Sequence, residues 1–303
     1  MASDRLKISL GFVFASLIWG STWLVIKAGL ESIPPFYGAA FRFIFAVIVL
    51  WMIIKIKKIP LPFDKESVNV YLISGLLSFS VPFAMVYWGQ QYIPSGLSSI
   101  LFALYPFFVG VLSHFFLPNE PLNIFKIIGV VLGFSGILMI FADDISWASE
   151  LTNAGMIAII GSSFLQALSL VFIKKYGKDV NPFHLNIGGM AIGVVVLLLF
   201  AIVSEDVSKI KFDFIGIGSI LYLGIFGSVV AFSIYFWMLK RVEAVYLSLL
   251  AFVTPILAVI LGGVVLNEKL DLHIFQGAAL VLAGILISNG KQFINTLYRK
   301  KLV

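Results

Sequence analysis

Ten long apolar stretches constrain this chain more than any other feature of its sequence. A helix needs about 20 apolar residues to cross the hydrocarbon core of a membrane. Because these stretches are long and apolar on every face, they favour helices over the strands of an outer-membrane barrel, and the sequence predicts an all-α integral membrane protein. They lie approximately at 8–28, 36–56, 68–90, 95–117, 123–142, 154–173, 183–203, 214–239, 245–266 and 272–290, and we number them spans 1 to 10.

The composition excludes several classes of protein. Of the 303 residues, 60% are hydrophobic and 12% are charged, whereas a soluble domain carries about 25% charged residues. The chain has no cysteine, so disulfide frameworks, thiol nucleophiles and cysteine metal sites are excluded. The net charge of +6 has a simple origin in basic cytoplasmic loops, and we expect no nucleic-acid partner.

The basic residues are distributed unequally between alternate loops. If both termini are cytoplasmic, 16 of the 21 Lys and Arg residues fall on the cytoplasmic side and 5 on the other. Cytoplasmic loops collect Lys and Arg, so this asymmetry favours ten spans with both termini in the cytoplasm. Span 1 is longer than the h-region of about 7–15 residues in a signal peptide. We therefore expect a multi-pass protein of the plasma (inner) membrane.

The two halves of the chain resemble each other at shifts of 147 to 149 residues. The identical pairs include Gly75 and Gly224, Trp88 and Trp237, Pro106 and Pro255, and Asn119-Glu120 and Asn267-Glu268. Each copy holds five helices, and because five is odd, the second copy enters the membrane from the opposite side. The sequence thus predicts ten transmembrane helices as two inverted repeats, at 1–145 and 146–303, an arrangement characteristic of secondary transporters. The second repeat ends in a short basic tail.

Several motifs resemble those of the drug/metabolite transporter superfamily, and within it the EamA-type family with two five-helix domains. They are Trp19-Gly20-Ser21-Thr22 in span 1, Arg42 in span 2, the prolines of spans 4 and 9, and the Asn-Glu motifs that follow those spans. The resemblance covers roughly residues 8–290. It implies a transporter of small organic solutes, often an exporter of amino acids or related metabolites, with spans 5 and 10 as scaffold. Some relatives are coupled to protons and others are facilitators.

Polar and aromatic side chains at mid-depth are candidates for a solute pathway. Trp19, Ser21 and Thr22 lie in span 1, Tyr105 lies too deep in span 4 for an interfacial aromatic, and Gln166 lies in span 6. An unsatisfied amide is costly inside a membrane, so Gln166 either bonds a neighbouring helix or faces a wet cavity. Trp19 and Gln166 are repeat-related, and an inverted-repeat axis would bring them together. We expect all five side chains to line a central cavity.

Arg42 is the only charged residue well inside a span. An arginine at membrane depth costs on the order of 3 kcal/mol on insertion scales, so it should face protein or water. It is either an anion-recognising group at the outer mouth, for example for a carboxylate, or a structural residue that bonds helix-end carbonyls or Glu31.

Pro106 and Pro255 interrupt spans 4 and 9 at mid-depth in this interpretation. Each frees a backbone carbonyl, so the pair forms either hinges and substrate-binding breaks or static kinks. Glu120 and Glu268 precede spans 5 and 10, where a carboxylate favours the helix N terminus. That position predicts a structural role for both, and a proton-coupling site is the alternative.

Other motifs carry no chemistry that we can assign. Two glycine pairs, Gly129-xxx-Gly133 and Gly189-xxx-Gly193, predict close helix packing. The three histidines lie apart in sequence, and the chain has no P-loop, no Gly-x-Ser-x-Gly motif and no paired carboxylates within a span. We expect no catalytic residue, cofactor or metal.

The sequence favours a secondary transporter of a small neutral or zwitterionic solute, with amino acids as the leading class and efflux as the expected direction. Half-cavities from spans 1, 3 and 4 and from spans 6, 8 and 9 should alternate in access. The alternatives are an intramembrane enzyme or lipid-handling protein, with His114 as the only candidate base, and a channel. The expected partners are the solute and the lipid bilayer. Proton coupling stays open, as does the choice between a monomer and a homodimer.

Overall fold

The computed structural model describes residues 2–117, 123–144, 149–177, 180–239, 241 and 250–299, and across these ranges the chain is helical with no strand. Within the described residues, seven helical segments are long and apolar enough to cross a membrane, and three shorter apolar helices belong to spans 5, 9 and 10. An all-helical membrane protein is thereby confirmed. The helices run over Ala2–Gly29 (span 1), Pro35–Lys57 (span 2), Lys65–Ser74 and Val81–Gly89 (span 3), Ser95–Phe102 and Tyr105–Phe116 (span 4), Ile124–Asp144 (span 5), Glu150–Tyr176 (span 6), Pro182–Ser204 (span 7), Phe214–Tyr222 and Ala231–Leu239 (span 8), Leu250–Val265 (span 9) and Leu272–Arg299 (span 10).

Local sequence determines where several helices begin. Asp64, Ser149 and Asp213 are N-caps whose side chains accept a backbone N–H group from the first helical turn. Proline is the first helical residue of spans 2 and 7, where a missing N–H group leaves no intrahelical bond unmade. Polar caps and prolines therefore place these helix starts at the two ends of the bundle.

Spans 3 and 8 each contain a π-helical segment at mid-depth. Gly75–Ser80 interrupts span 3, and Leu223–Val230 interrupts span 8. In each segment a serine hydroxyl, that of Ser80 or Ser228, donates to the carbonyl five residues earlier, at 2.8 and 2.9 Å. Single π turns inside α-helices are frequent at functional sites, so these two segments direct attention to the surrounding side chains.

The helix packing joins the two halves of the chain throughout. Span 1 packs against spans 8 and 9, span 6 against spans 3 and 4, span 2 against span 7, and span 5 against span 10. Span 1 therefore packs mainly against the second half and span 6 mainly against the first, which chain order alone does not reveal. The half-cavities from spans 1, 3 and 4 and from spans 6, 8 and 9 stay a prediction.

Glycine lets spans 5 and 10 approach closely. A Cβ atom added at Gly136 would lie 2.5 Å from the carbonyl oxygen of Gly277, and one added at Gly277 would lie 2.6 Å from that of Gly136. A Cβ added at Gly284 would lie 2.6 Å from the carbonyl oxygen of Gly129. The two backbones touch at these points, which confirms the packing that the first glycine pair predicts. In span 7, a Cβ at Gly193 would lie 3.0 Å from Phe79.

Candidate functional site

Five of the side chains that the sequence assigns to a binding site or pathway contact span 8. The indole N–H of Trp19 donates to the carbonyl oxygen of Gly227 at 3.3 Å. The hydroxyl of Ser21 lies 2.7 Å from that of Tyr222. The other three are Thr22, Arg42 and Tyr105, described below. Span 8, and its π-helical segment in particular, is therefore the element around which the candidate site is built.

Gly227 is the residue of this segment at which three predicted side chains meet. Trp19 bonds its carbonyl group, as described above. A Cβ atom added at Gly227 would lie 3.0 Å from Cγ2 of Thr22 and 3.1 Å from Nη2 of Arg42. A larger residue would displace at least one of them. Sequence reasoning missed Gly227, although two glycines three residues apart in an apolar span, Gly224 and Gly227, are a detectable signal.

Arg42 lies inside the protein, with 2% of its surface exposed. Its Nε donates to the hydroxyl of Ser228 at 2.9 Å, and its guanidinium carbon lies 4.8 Å from the centre of the Phe83 ring. Glu31, one of the partners that the sequence left open, is exposed, and Arg42 bonds Ser228 of span 8 instead. Anion recognition by Arg42 stays a prediction.

Tyr87, on span 3, is the polar neighbour of Arg42. The two groups lie close enough to interact electrostatically and to approach a hydrogen bond, but among the described residues neither the Tyr87 hydroxyl nor Nη1 of Arg42 has a partner that meets full hydrogen-bonding geometry. Buried polar groups of this kind are nearly always bonded, so each exception calls for a physical explanation.

An aromatic cluster connects spans 1, 4 and 8. The ring centre of Trp19 lies 5.3 Å from those of both Phe232 and Tyr235. Tyr105 stacks on Phe102 at 6.0 Å and hydrogen-bonds with Tyr235. The structure thus brings two predicted pathway residues, Trp19 and Tyr105, to one cluster through a tyrosine of the other half.

Gln166 belongs to a different helix group. It is half-buried on span 6, which packs against spans 3 and 4, whereas the contacts of Trp19 lie on span 8. The two residues that the repeat was expected to bring together therefore pack against different helices. A pathway role for Gln166 stays a prediction.

The two prolines differ in local structure. Span 4 breaks at Ala103–Leu104, and Pro106 lies in the first turn of the helix that follows, where proline is well tolerated. Pro255 lies inside the continuous helix Leu250–Val265. The predicted interruption is therefore present in span 4, whereas the helix of span 9 continues through its proline. A hinge role stays a prediction for both.

Carboxylates of the second half of the chain accept hydrogen bonds from the first half at one end of the bundle. We call this end the Ser32 end, and it carries the loops 30–34, 90–94, 205–213 and 266–271. Glu205 accepts the backbone N–H groups of Phe36 and Tyr37 at 2.8 and 2.9 Å. Asp213 accepts the hydroxyl of Ser32 at 2.9 Å. These bonds hold span 2 and the loop before it against spans 7 and 8.

Glu268 makes a third connection of this kind. Its carboxylate accepts the N–H groups of Ser95 and Gly96 at 2.7 and 3.1 Å, and also the Ser95 hydroxyl at 2.9 Å. Glu268 therefore lies at a helix N terminus, but at that of span 4 and not at that of span 10, because its loop folds across the other half. Glu120 lies outside the described residues.

The carboxylates at the Ser32 end differ in electrostatic environment. Burial raises the pKa of Glu205, and the two N–H donors oppose this only in part. The N–H of Gly216 and the hydroxyl of Ser32 lower the pKa of Asp213. Asp213 is therefore ionised at neutral pH, and its hydrogen bond to Ser32 is charge-assisted.

Lys27 and tight packing complete the contacts at the Ser32 end. The ammonium group of Lys27 donates to the carbonyl oxygens of Gln90 and Ile93 at 2.6 and 3.0 Å and thereby ties the end of span 1 to that of span 3. A cavity of about 10 Å³ lies nearby, between spans 1, 2, 3 and 8. Such a volume holds roughly one water molecule. The side chains at this end are thus tightly packed, and within the described ranges no cluster of His, Asp and Glu could hold a metal.

Comparison with known proteins gives consistent results. The model of a family described as "EamA-like transporter family" matches residues 6–142 and 153–290. The "Uncharacterized transporter YoaV" of Bacillus subtilis is 30% identical over 282 residues, which cover 93% of this chain and 96% of that protein. The "Uncharacterized inner membrane transporter YedA" of Escherichia coli K12 is 30% identical over 291 residues, covering 93% and 90%. One solved crystal structure matches with a TM-score of 0.69, 18% identity and coverage of 93% and 96%, and this likeness shows the fold alone.

Proposed function

The chain belongs to the EamA-like transporter family, and on this premise we propose that it is a secondary transporter that moves a small organic solute by alternating access. The solute class is neutral or zwitterionic, with amino acids first, and the direction is efflux. The spans contain no Asp or Glu, which argues against lipophilic cations as substrates. A transporter of this kind performs no covalent chemistry on its solute.

The observation that carries the proposal is a pair of equivalent contacts at the two π-helical segments. A Cβ atom at Gly224 in span 8 would lie 3.1 Å from the carbonyl oxygen of Arg42. A Cβ atom at Gly75, which lies 149 residues earlier, would lie 3.0 Å from the carbonyl oxygen of Gly189. Arg42 and Gly189 are separated by 147 residues, the shift that relates span 2 to span 7. The two contacts are thus copies of each other.

A second pair of contacts follows the same relation. Thr22 lies beside Gly227 in span 8, and the hydroxyl of Ser169 bonds that of Ser78 in span 3 at 2.7 Å. Ser169 lies 147 residues after Thr22, and Ser78 lies 149 residues before Gly227. These equivalences support two inverted five-helix repeats, residues 1–145 and 146–303, related by an axis in the membrane plane.

Such a symmetric pair of helix breaks suits alternating access. Each π-helical segment lies at mid-depth on a helix that packs against the other repeat, so one break can open while its copy closes. Spans 5 and 10 touch backbone to backbone and would remain in place as scaffold. Because the Ser32 end is tightly packed, a solute would reach the centre from the opposite end of the bundle.

The orientation of the chain can be tested directly. We expect both termini on the cytoplasmic side, because basic residues concentrate in the loops of that side. A reporter fused at Val303 should then report the cytoplasm, and one inserted into the loop 145–149 should report the opposite side. The same side for both reporters would contradict the ten-span arrangement.

Transport itself should be measured in proteoliposomes with a panel of labelled amino acids, with and without a pH gradient. We expect saturable flux of at least one neutral amino acid, dependent on the protein. A gradient-dependent rate would indicate proton coupling, and equal rates would indicate a facilitator. Folded protein that moves no member of the panel would contradict the proposed solute class, and non-saturating ion flux would favour the channel alternative.

A further inference from the structure

We propose that the guanidinium group of Arg42 and the hydroxyl of Tyr87 bind the carboxylate of the transported solute. The inference rests on the proposed transport function and narrows its solute class to organic carboxylates, amino acids among them. It assigns one end of the solute to a defined place in the protein, between spans 2, 3 and 8.

The positive charge of Arg42 has no counter-charge in the surrounding spans. Arg42 is buried at membrane depth, and its described polar partner, the hydroxyl of Ser228, is neutral. No Asp or Glu lies within any of the ten spans, so the surrounding helices carry no counter-charge at this depth. A cation held in this way is costly, and an anion beside it offsets that cost. A solute carboxylate supplies the anion that the spans lack.

Two hydrogen-bond donors lie beside each other at this place. Nη1 of Arg42 and the hydroxyl of Tyr87 are both buried and both able to donate, and among the described residues neither has a partner that meets full hydrogen-bonding geometry. They lie on adjacent spans and close enough to interact. A carboxylate is acceptor-only, with two oxygens, and is the simplest group that satisfies both donors at once.

The guanidinium group of Arg42 is held in a fixed orientation. Its Nε is taken by Ser228, and Phe83 lies within 4.8 Å of its central carbon, with the ring centre facing it. The planar fork of arginine is therefore held in one orientation, with the side that carries Nη1 left for an acceptor. A fixed fork binds a carboxylate with less loss of side-chain freedom than a mobile lysine would.

The residues around the guanidinium group of Arg42 leave a place for the rest of a solute. Nη2 of Arg42 borders Gly227, the residue whose carbonyl group is bonded by Trp19. A solute with its carboxylate on Arg42 would thus place its remaining atoms beside Trp19 and the aromatic cluster. Tyr87 and Leu223 also line the small cavity near the Ser32 end, so packing is already incomplete beside the proposed site.

The competing explanation is that Arg42 only ties span 2 to span 8. Arg42→Lys and Tyr87→Phe distinguish the two, because each keeps the bulk of the side chain while removing the fork or the hydroxyl. Tyr71→Phe is the matched control. It removes another tyrosine hydroxyl of span 3, which bonds the carbonyl of Pro62 at 3.2 Å, far along the helix from Tyr87.

The experiment measures flux in proteoliposomes for three carboxylates, L-leucine, L-tryptophan and benzoate, and for the carboxamides of the two amino acids. The thermal stability of each variant is measured separately in detergent. We expect the wild type to prefer carboxylates over carboxamides. Arg42→Lys should raise KM for the carboxylates roughly 10- to 100-fold, the effect of losing a charge-assisted hydrogen bond. Tyr87→Phe should raise it about 10-fold. Both variants should erase the preference over carboxamides, and Tyr71→Phe should retain it.

Two results would overturn the inference without contradicting the proposed transport function. In the first, the flux of carboxylates is unchanged in Tyr87→Phe and Arg42→Lys. In the second, the fluxes of carboxylates and carboxamides fall equally and the melting temperature is lower. The second result would establish the structural tie instead. A wild-type protein that transports the carboxamides but none of the carboxylates would overturn the inference and the amino-acid class together.

Discussion

Replacing Gly277 with valine should reduce the recovery of folded protein to less than about a tenth of the wild-type level, the consequence of overpacking at a site that cannot relax. A Cβ atom at this position would lie 2.6 Å from the carbonyl oxygen of Gly136 and 2.5 Å from Cγ1 of Ile140. The first neighbour is backbone, so no rotamer change relieves the clash. Fluorescence-detected size exclusion and melting temperature in detergent measure the effect.

The matched control for this substitution is Gly218→Ala. No atom lies within 4 Å of a Cβ added at Gly218, in the first helical part of span 8. Alanine is favoured over glycine in helices by about 1 kcal/mol, so this variant should be recovered at or above the wild-type level. If Gly277→Val were as stable as Gly218→Ala, spans 5 and 10 would not cross where the structure places them.

Replacing Glu205 with glutamine should open the Ser32 end of the pathway. The carboxylate of Glu205 accepts two backbone N–H groups at the start of span 2, and hydrogen bonds to charged groups contribute about 1.5–3 kcal/mol. An amide offers one oxygen and two donors, and the donors oppose the N–H groups they would face. The population that is open at this end should therefore rise by on the order of tenfold.

Cysteine labelling can measure this opening, because the chain has no cysteine of its own. Ser219 is 7% exposed and lies against Gly29 at the Ser32 end, so Ser219→Cys should react slowly with a membrane-impermeant maleimide. Adding Glu205→Gln should speed the reaction. Asp206→Asn is the control, because Asp206 bonds only Ser208 in its own loop among the described contacts. Equal labelling in both double variants would show that Glu205 does not hold this end closed.

The sequence predicts the helices well because a membrane sets their length and polarity. Span 2, predicted at 36–56, is observed as Pro35–Lys57, and span 7, predicted at 183–203, as Pro182–Ser204. Trp19 and Tyr105, which were chosen for their mid-depth position, both contact Tyr235, while their place in a pathway stays a prediction. Depth and polarity are local properties, so they can be obtained from a single segment.

Properties that depend on a second segment were not predictable. Nothing in the residues of span 1 indicates that it packs with spans 8 and 9, so the sequence did not reveal that Trp19 and Gln166 pack against different helices. The partner of Glu268 is span 4, which lies more than 170 residues away, and dipole arguments name only the helix that follows a carboxylate. Arg42 was placed by its Cα position, whereas its contacts are set by the direction of a long side chain.

The π-helical segment of span 8 has a consequence for rotational phase. An α-helix turns by about 100° per residue, and a π turn accommodates one residue more than an α turn. The part of span 8 beyond Val230 is therefore rotated by roughly that angle relative to an uninterrupted helix. A helix that kept every residue of Leu223–Val230 but lost the π turn would turn Phe232 and Tyr235 away from Trp19. The π turn itself, as much as the identity of the side chains, thus aligns the aromatic cluster with the buried guanidinium group.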